Sequence, residues 1–173
     1  MADNGGAQIE PTSSDRELVV VRTLDAPRAL VWKAWTEPEH VAVWWHPEEF
    51  ECMACEIDLK VGGAFRVTLR APDGTLYPGN GVFREIVPPE RIVYEGIADE
   101  RDPPGRNPGG AGMPPGARVT VTFGESGGRT EVTVVTRFPS ATAGLAAKES
   151  GYDTGWSEGL EQLAALLHHL DPS

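Results

Sequence analysis

Four of the five tryptophans lie within fourteen positions, at Trp32, Trp35, Trp44 and Trp45, and the second pair runs directly into His46 and Pro47. An indole offers a wide apolar face and one N–H donor. Such a group either packs a core or walls a site for a flat apolar molecule. A histidine at the mouth of such a site could hydrogen-bond a ligand or act as acid or base. At the end of a short helix it could equally be a solvated or capping residue. Phe65, Phe83, Tyr94, Phe123, Trp156 and Leu160 fall on candidate inner positions of their own segments. With the four clustered tryptophans and His46 they form the candidate ligand-binding set.

The other reactive side chains offer less. Cys52 and Cys55 form a C-x-x-C pair inside FECMACEIDL, which reads as a strand. Side chains alternate faces along a strand, so an offset of three puts the two sulfurs on opposite faces unless a bulge or turn intervenes. With no second Cys or Cys/His pair to complete a zinc site, they read as small buried hydrophobes. His40 reads as exposed on a short helix, and His168 and His169 end the last helix, where cations suit the dipole. Glu48, Glu49 and Glu51 read as a solvated strand edge. There is no G-x-S-x-G, and no glycine-rich loop has a phosphate-binding setting. No catalytic residues, metal or cofactor are expected.

Lys and Arg number 15 against 26 Asp and Glu, a net charge of −11 over 173 residues. An acidic surface repels phosphate backbones and anionic lipids, which argues against nucleic-acid and membrane roles. No apolar run approaches the ~20 residues of a membrane span. The first fifteen residues, MADNGGAQIEPTSSD, lack the basic and apolar regions of a signal peptide, so the expected compartment is the cytoplasm.

The elements that would position these groups follow from periodicity. Residues 1–15 read as a disordered tail, and 16–170 as one domain. RELVVVRTL is a strand. DAPRALVWKAWT is a helix with Asp25 as N-cap, and a second helix over about 38–44 has Thr36 as cap. From Phe50 the period becomes two. Six strands follow, with Phe65, Val67 and Leu69, or Val119, Val121 and Phe123, on one face and polar residues on the other. The Pro/Gly-rich insertion 99–116 contains no strand or helix and reads as a solvated loop or a lid over a pocket. The C-terminal stretch is a helix with Ser140 as N-cap and an apolar stripe through Trp156, Leu160, Leu163, Leu167 and Leu170. Gly144, Gly151, Gly155 and Gly159 suggest a close neighbour, or a bend or break near Gly151. The order is therefore β-α-α, six strands, then α: an α+β fold in which an antiparallel sheet of about seven strands is covered by the last helix.

Taken in order, several motifs resemble a known family: Trp44-Trp45-His46-Pro47, Asp58–Phe65, Pro72-Asp73-Gly74, Gly81–Tyr94, Val119–Phe123, Gly127–Thr133 and Gly155–Leu163. Together they are similar to the activator of heat-shock protein ninety ATPase homologue-like branch of the START/SRPBCC superfamily. The resemblance implies a helix-grip fold, a sheet wrapped around a long C-terminal helix with an internal cavity, as in the birch pollen allergen. It also implies binding of a small hydrophobic or aromatic molecule, with a cyclase- or aromatase-like enzyme as an alternative and His46 or Tyr94 as its proton donor. A stress-linked or chaperone-linked interaction module is the third reading. A homodimer through an edge strand or aromatic patch is compatible with the sequence. The position after the tryptophan pair, often glycine in the family, is His46 here, and 99–116 is longer than usual.

Overall fold

Alternating β-branched and polar residues build the sheet. The computed structural model describes residues 8–9, 16–98 and 110–170. Seven strands were expected and seven form the body of the sheet: β2 (Glu17–Leu24), β3 (Glu51–Ile57), β4 (Ala64–Arg70), β5 (Leu76–Val87), β6 (Arg91–Ile97), β7 (Arg118–Ser126) and β8 (Arg129–Arg137). A two-residue β1, Gln8–Ile9, pairs with Val21 and Val20, so the expected structureless tail does not hold at those two residues. The rest of 1–15 lies outside the described residues. All pairings are antiparallel, in the order β1-β2-β8-β7-β6-β5-β4-β3. β2 thus closes beside the last strand, while β3 forms the opposite edge.

The helices are α1 (Arg28–Thr36), α2 (Pro38–Trp44), α3 (Ala141–Glu149) and α4 (Tyr152–Leu170). The sheet curls around α4, whose buried stripe is Tyr152, Trp156, Leu160, Leu163 and Leu167, with Gly159. Ser140 caps α3 as expected, accepting the Ala143 N–H. The C-terminal helix is broken, not continuous: Ser150 and Gly151 separate α3 from α4, and Gly151 has φ +97°, which favours glycine.

Two expected caps are corrected. Asp25 does not cap α1. Pro27 occupies the cap position, and the Arg28 N–H is taken by the Glu125 carboxylate of β7 at 3.0 Å. Thr36 does not cap α2. Glu37 occupies that position, while the Thr36 hydroxyl donates to the Trp32 carbonyl at 2.9 Å. The cysteine geometry is also corrected. A β-bulge between Cys52 and Ala54 resets the alternation, so Cys52, Cys55 and Ile57 share the half-buried face opposite Leu69, Val67 and Phe65. Both thiols are free. His40 is half-buried beside Glu37, 3.2 Å away, not exposed.

Buried polar groups are few. Thr136 and Tyr152 share a 2.6 Å hydroxyl–hydroxyl bond, and the Thr130 hydroxyl donates to the Ala26 carbonyl. Burial pushes the Tyr152 phenol up to about 12, against the opposing pull of the Thr136 hydroxyl and the Trp156 indole beside it. Burial likewise raises Tyr94 well above its usual value. Burial, then the neighbouring Cys52 and Glu56, pushes the Cys55 thiol up to about 12. Each shift favours the neutral form in the folded state. The stability it brings is complete below the unfolded-state pKa and is lost as pH rises through the folded one. Tyr152 alone, raised from 10 to about 12, accounts for on the order of 3 kcal/mol. Denaturant midpoints should therefore fall steeply between pH 10 and 12, with tyrosinate absorbance rising together with unfolding. Normal titration of all three tyrosines in the folded chain would contradict this. Tyr152→Phe should cost about 1–3 kcal/mol in chemical denaturation, because it strands the buried Thr136 hydroxyl.

Candidate functional site

The site is built where α2 ends. Trp44 donates its indole N–H to the Ala34 carbonyl of α1 at 3.0 Å. α4 then fastens the turn that follows. Gln162 Nε2 donates to the carbonyls of His46 (2.7 Å) and Trp44 (3.3 Å), and the Glu158 carboxylate accepts the Glu48 N–H at 2.9 Å. These contacts bring Trp44, Trp45, His46 and Pro47 against the amino-terminal half of α4. The approach is closest at Gly159. A Cβ on Gly159 would stand 3.1 Å from the Trp44 carbonyl oxygen, and one on Gly155 3.7 Å from the Pro47 ring, whereas at Gly151 it would meet open space. Of the four glycines singled out in the sequence, Gly159 marks the close neighbour and Gly151 the break.

From the other side comes the end of the 99–116 insertion. Residues 99–109 lie outside the described residues, but 110–116 is seated on the sheet. It makes a single tight turn at Gly110–Gly112 with Ala111 (φ +53°) and Gly112 (φ +91°) in the left-handed region, not a regular helix. Trp45 donates its N–H to the Ala111 carbonyl and Tyr94 its hydroxyl to the Gly112 carbonyl, both at 2.9 Å. Gly112, with φ +91°, lies so flat on Trp45 that a Cβ would come within 2.9 Å of the indole. Gly96 allows the strap to pass, since its Cβ would fall 2.1 Å from the Pro114 carbonyl oxygen.

Between these walls a half-open cleft of about 260 Å³ remains. Its floor is Trp44, Trp45 and Trp156; its sides are His46, Pro47 and Phe50, then Leu69 and Tyr77 from the sheet, the Ala111–Gly112 strap, and Ser150–Tyr152 with Gly155 and Gly159. Among the described residues no Lys, Arg, Asp or Glu lines it. Its polar groups are largely committed: Ser150 Oγ donates to the Ala147 carbonyl, and the Tyr152 hydroxyl is bound to Thr136. The Trp156 N–H is buried beside the Tyr152 oxygen without a hydrogen bond of proper geometry.

Of the sequence-predicted set, the structure brings Trp44, Trp45, His46 and Trp156 into the cleft lining. Trp32, Trp35, Phe65, Phe83, Tyr94, Phe123 and Leu160 stand outside that lining and form the packed wall behind it. Trp35 stacks on Trp156 (5.8 Å, 19° between planes) and meets Trp44 edge-on at 4.6 Å. Phe65 stacks on Phe83 and meets Tyr94 edge-on. Trp32 reaches Phe123 at 5.7 Å. His46 faces carbonyl oxygens with both ring nitrogens, Nδ1 toward Pro47 at 2.8 Å and Nε2 toward Val43 at 3.0 Å. Neither it nor Tyr94, fully buried on Gly112, holds a proton donor aimed at the cleft. Sequence reasoning missed Pro47, Phe50, Leu69, Tyr77, Ala111, Gly112, Ser150 and Tyr152 as lining and Glu158 and Gln162 as ties. The tryptophan pair and the glycine run were the signals pointing to the site.

A curled antiparallel sheet gripping a C-terminal helix, open at one end, defines the helix-grip class of the START/SRPBCC superfamily. The chain belongs to the family of Activator of Hsp90 ATPase homolog 1-like proteins, whose model matches residues 25–168. Among solved structures, it is similar to a protein from Arthrobacter aurescens (26% identity, 94% of this chain and 91% of that one, TM-score 0.81). It is also similar to one from Chromobacterium violaceum (29% identity, 89% and 98%, TM-score 0.71). An AHSA1-like protein from Aeromonas hydrophila shares the fold at 19% identity (90% and 96%, TM-score 0.65). No curated protein matches the chain in sequence. Among the described residues no helix is long and apolar enough to cross a membrane, and no group of three or more potential ligands could hold a metal ion.

Proposed function

We propose that this chain binds a small apolar or aromatic molecule in the cleft between the α2 turn, the 110–116 strap and the start of α4. The observation that carries the reading is the space itself: about 260 Å³ over an indole floor, kept open by Gly151, Gly155 and Gly159. Ligand sites are typically concave and mostly apolar, with few polar groups, and an apolar cavity of about 150 Å³ is enough to take benzene. A bicyclic aromatic is the natural size here. The cyclase- or aromatase-like alternative has less support, since His46 and Tyr94 are both engaged with main-chain carbonyls.

Calorimetric titration with 2-naphthylmethanol, within a panel of lipids, sterols and aromatic metabolites, tests the proposal. Saturable one-to-one binding is expected for at least one bicyclic member. A panel that produces no heat and no change in tryptophan emission would overturn it.

A further inference from the structure

We infer that Cys52 and Cys55, on the edge strand β3, form a two-coordinate site for a soft monovalent metal ion of the copper(I) or silver(I) kind. The site is separate from the cleft and does not depend on the binding reading above.

The β-bulge creates the pair. Without it, an offset of three would turn the two thiols to opposite faces. With Met53 as the extra residue, Cys52 stands opposite Leu69 and Cys55 opposite Val67, two positions apart on β4 and therefore on one face. The Cys52 sulfur also leans along the strand. Its thiol donates to the Ala54 carbonyl at 3.3 Å, and that carbonyl belongs to the peptide bond leading into Cys55. The two thiols are near enough for Cys52 to contribute to the raised pKa of Cys55. Both are free and half-buried, on a strand that ends the sheet, so an ion can reach them from solvent.

The spacing fits a bridging metal better than a disulfide. Two positions along a strand span about 6.6 Å, near the upper limit for the α-carbons of a disulfide, whose sulfurs must meet at about 2.05 Å. Two metal–sulfur bonds of about 2.3 Å, set in line, hold the sulfurs roughly 4.6 Å apart. Burial also keeps both thiols protonated at neutral pH, with Cys55 pushed up to about 12, so neither is a ready nucleophile for disulfide exchange.

The ligand set selects the metal. The chain has only these two cysteines, and among the described residues no group of three or more His, Cys, Asp or Glu could hold an ion. Zinc requires four ligands, whereas thiolates favour copper(I) and its soft relatives. On binding, two S–H bonds break, two metal–sulfur bonds form and both protons pass to solvent, with no change of oxidation state. The complex carries one negative charge, which the open edge of the sheet leaves hydrated.

The test is silver(I) titration of the reduced full chain in chloride-free buffer, followed by native mass spectrometry and ultraviolet absorbance, with zinc(II) as the comparison. One silver ion per chain with two protons displaced is expected, and zinc should bind far more weakly. In competition with glutathione, Cys52→Ser and Cys55→Ser should each lower silver affinity by roughly a hundredfold or more, since either change removes the chelate. Two silver ions per chain with one proton displaced apiece, one ion shared between two chains, or zinc matching silver would overturn the inference. So would either serine variant holding silver as tightly as the parent chain. The stoichiometry and proton count need no variant and stand on the unmodified protein.

Discussion

Gly155→Leu should weaken ligand binding by at least tenfold without unfolding the protein. A Cβ at this position meets only the Pro47 ring, at 3.7 Å, and the rest of the new side chain enters the cleft that Gly155 lines. Leucine is also the better helix former by roughly 0.8 kcal/mol, so thermal stability should hold or rise slightly. Affinity for a bicyclic probe should fall by roughly tenfold to a hundredfold, the equivalent of the 1–3 kcal/mol that overpacking costs. Gly155→Ala is the control, since a single methyl fits and should leave affinity nearly unchanged. Calorimetry on the three proteins checks the series. Undiminished binding by the leucine variant would place the ligand elsewhere.

The largest effect on stability is expected at Trp45. Its ring meets Trp35, Trp44, Phe65, Tyr94 and Trp156, and its N–H holds the strap at Ala111. Trp45→Ala leaves a cavity at the junction of these rings and should cost about 3–5 kcal/mol in urea denaturation. Trp45→Phe keeps an aromatic ring but releases the Ala111 carbonyl. It should cost less overall, with a loss of about 1 kcal/mol for the hydrogen bond and faster amide exchange along 111–113. Equal costs for the two variants would show that the strap tether, not ring packing, dominates.

The strands were legible because their two faces differ chemically. AFRVTLR and RVTVTF alternate without error, and each became a strand with those residues inward. Features made by distant partners were not legible. The α1 terminus is served by Glu125, ninety-seven positions away, while Asp25 stands exposed. The α2 turn is tied by Glu158 and Gln162, which in the sequence are ordinary polar helix residues. The bulge that brings Cys52 and Cys55 to one face is a backbone event with no residue signature of its own. The site was half legible. Ring type says that a side chain belongs inside, but not whether its neighbours fill the space around it. Trp35, Phe65 and Phe83 lie wholly within the packed rings, whereas Trp44, Trp45 and Trp156 also line the cleft beside Gly112, Gly151, Gly155 and Gly159. The last three of these glycines stood out as poor helix residues, and their meaning needed the register of α4 against the α2 turn.

The central claim is that space remains over the indole floor and that a ligand occupies it. The five indole N–H signals of ¹⁵N-labelled protein report on this directly. On titration with 2-naphthylmethanol, the signals of Trp44, Trp45 and Trp156 should shift with a common saturation curve, while Trp32, out on the Phe123 side, stays still. Signals that do not move, or a shift confined to Trp32, would contradict the account.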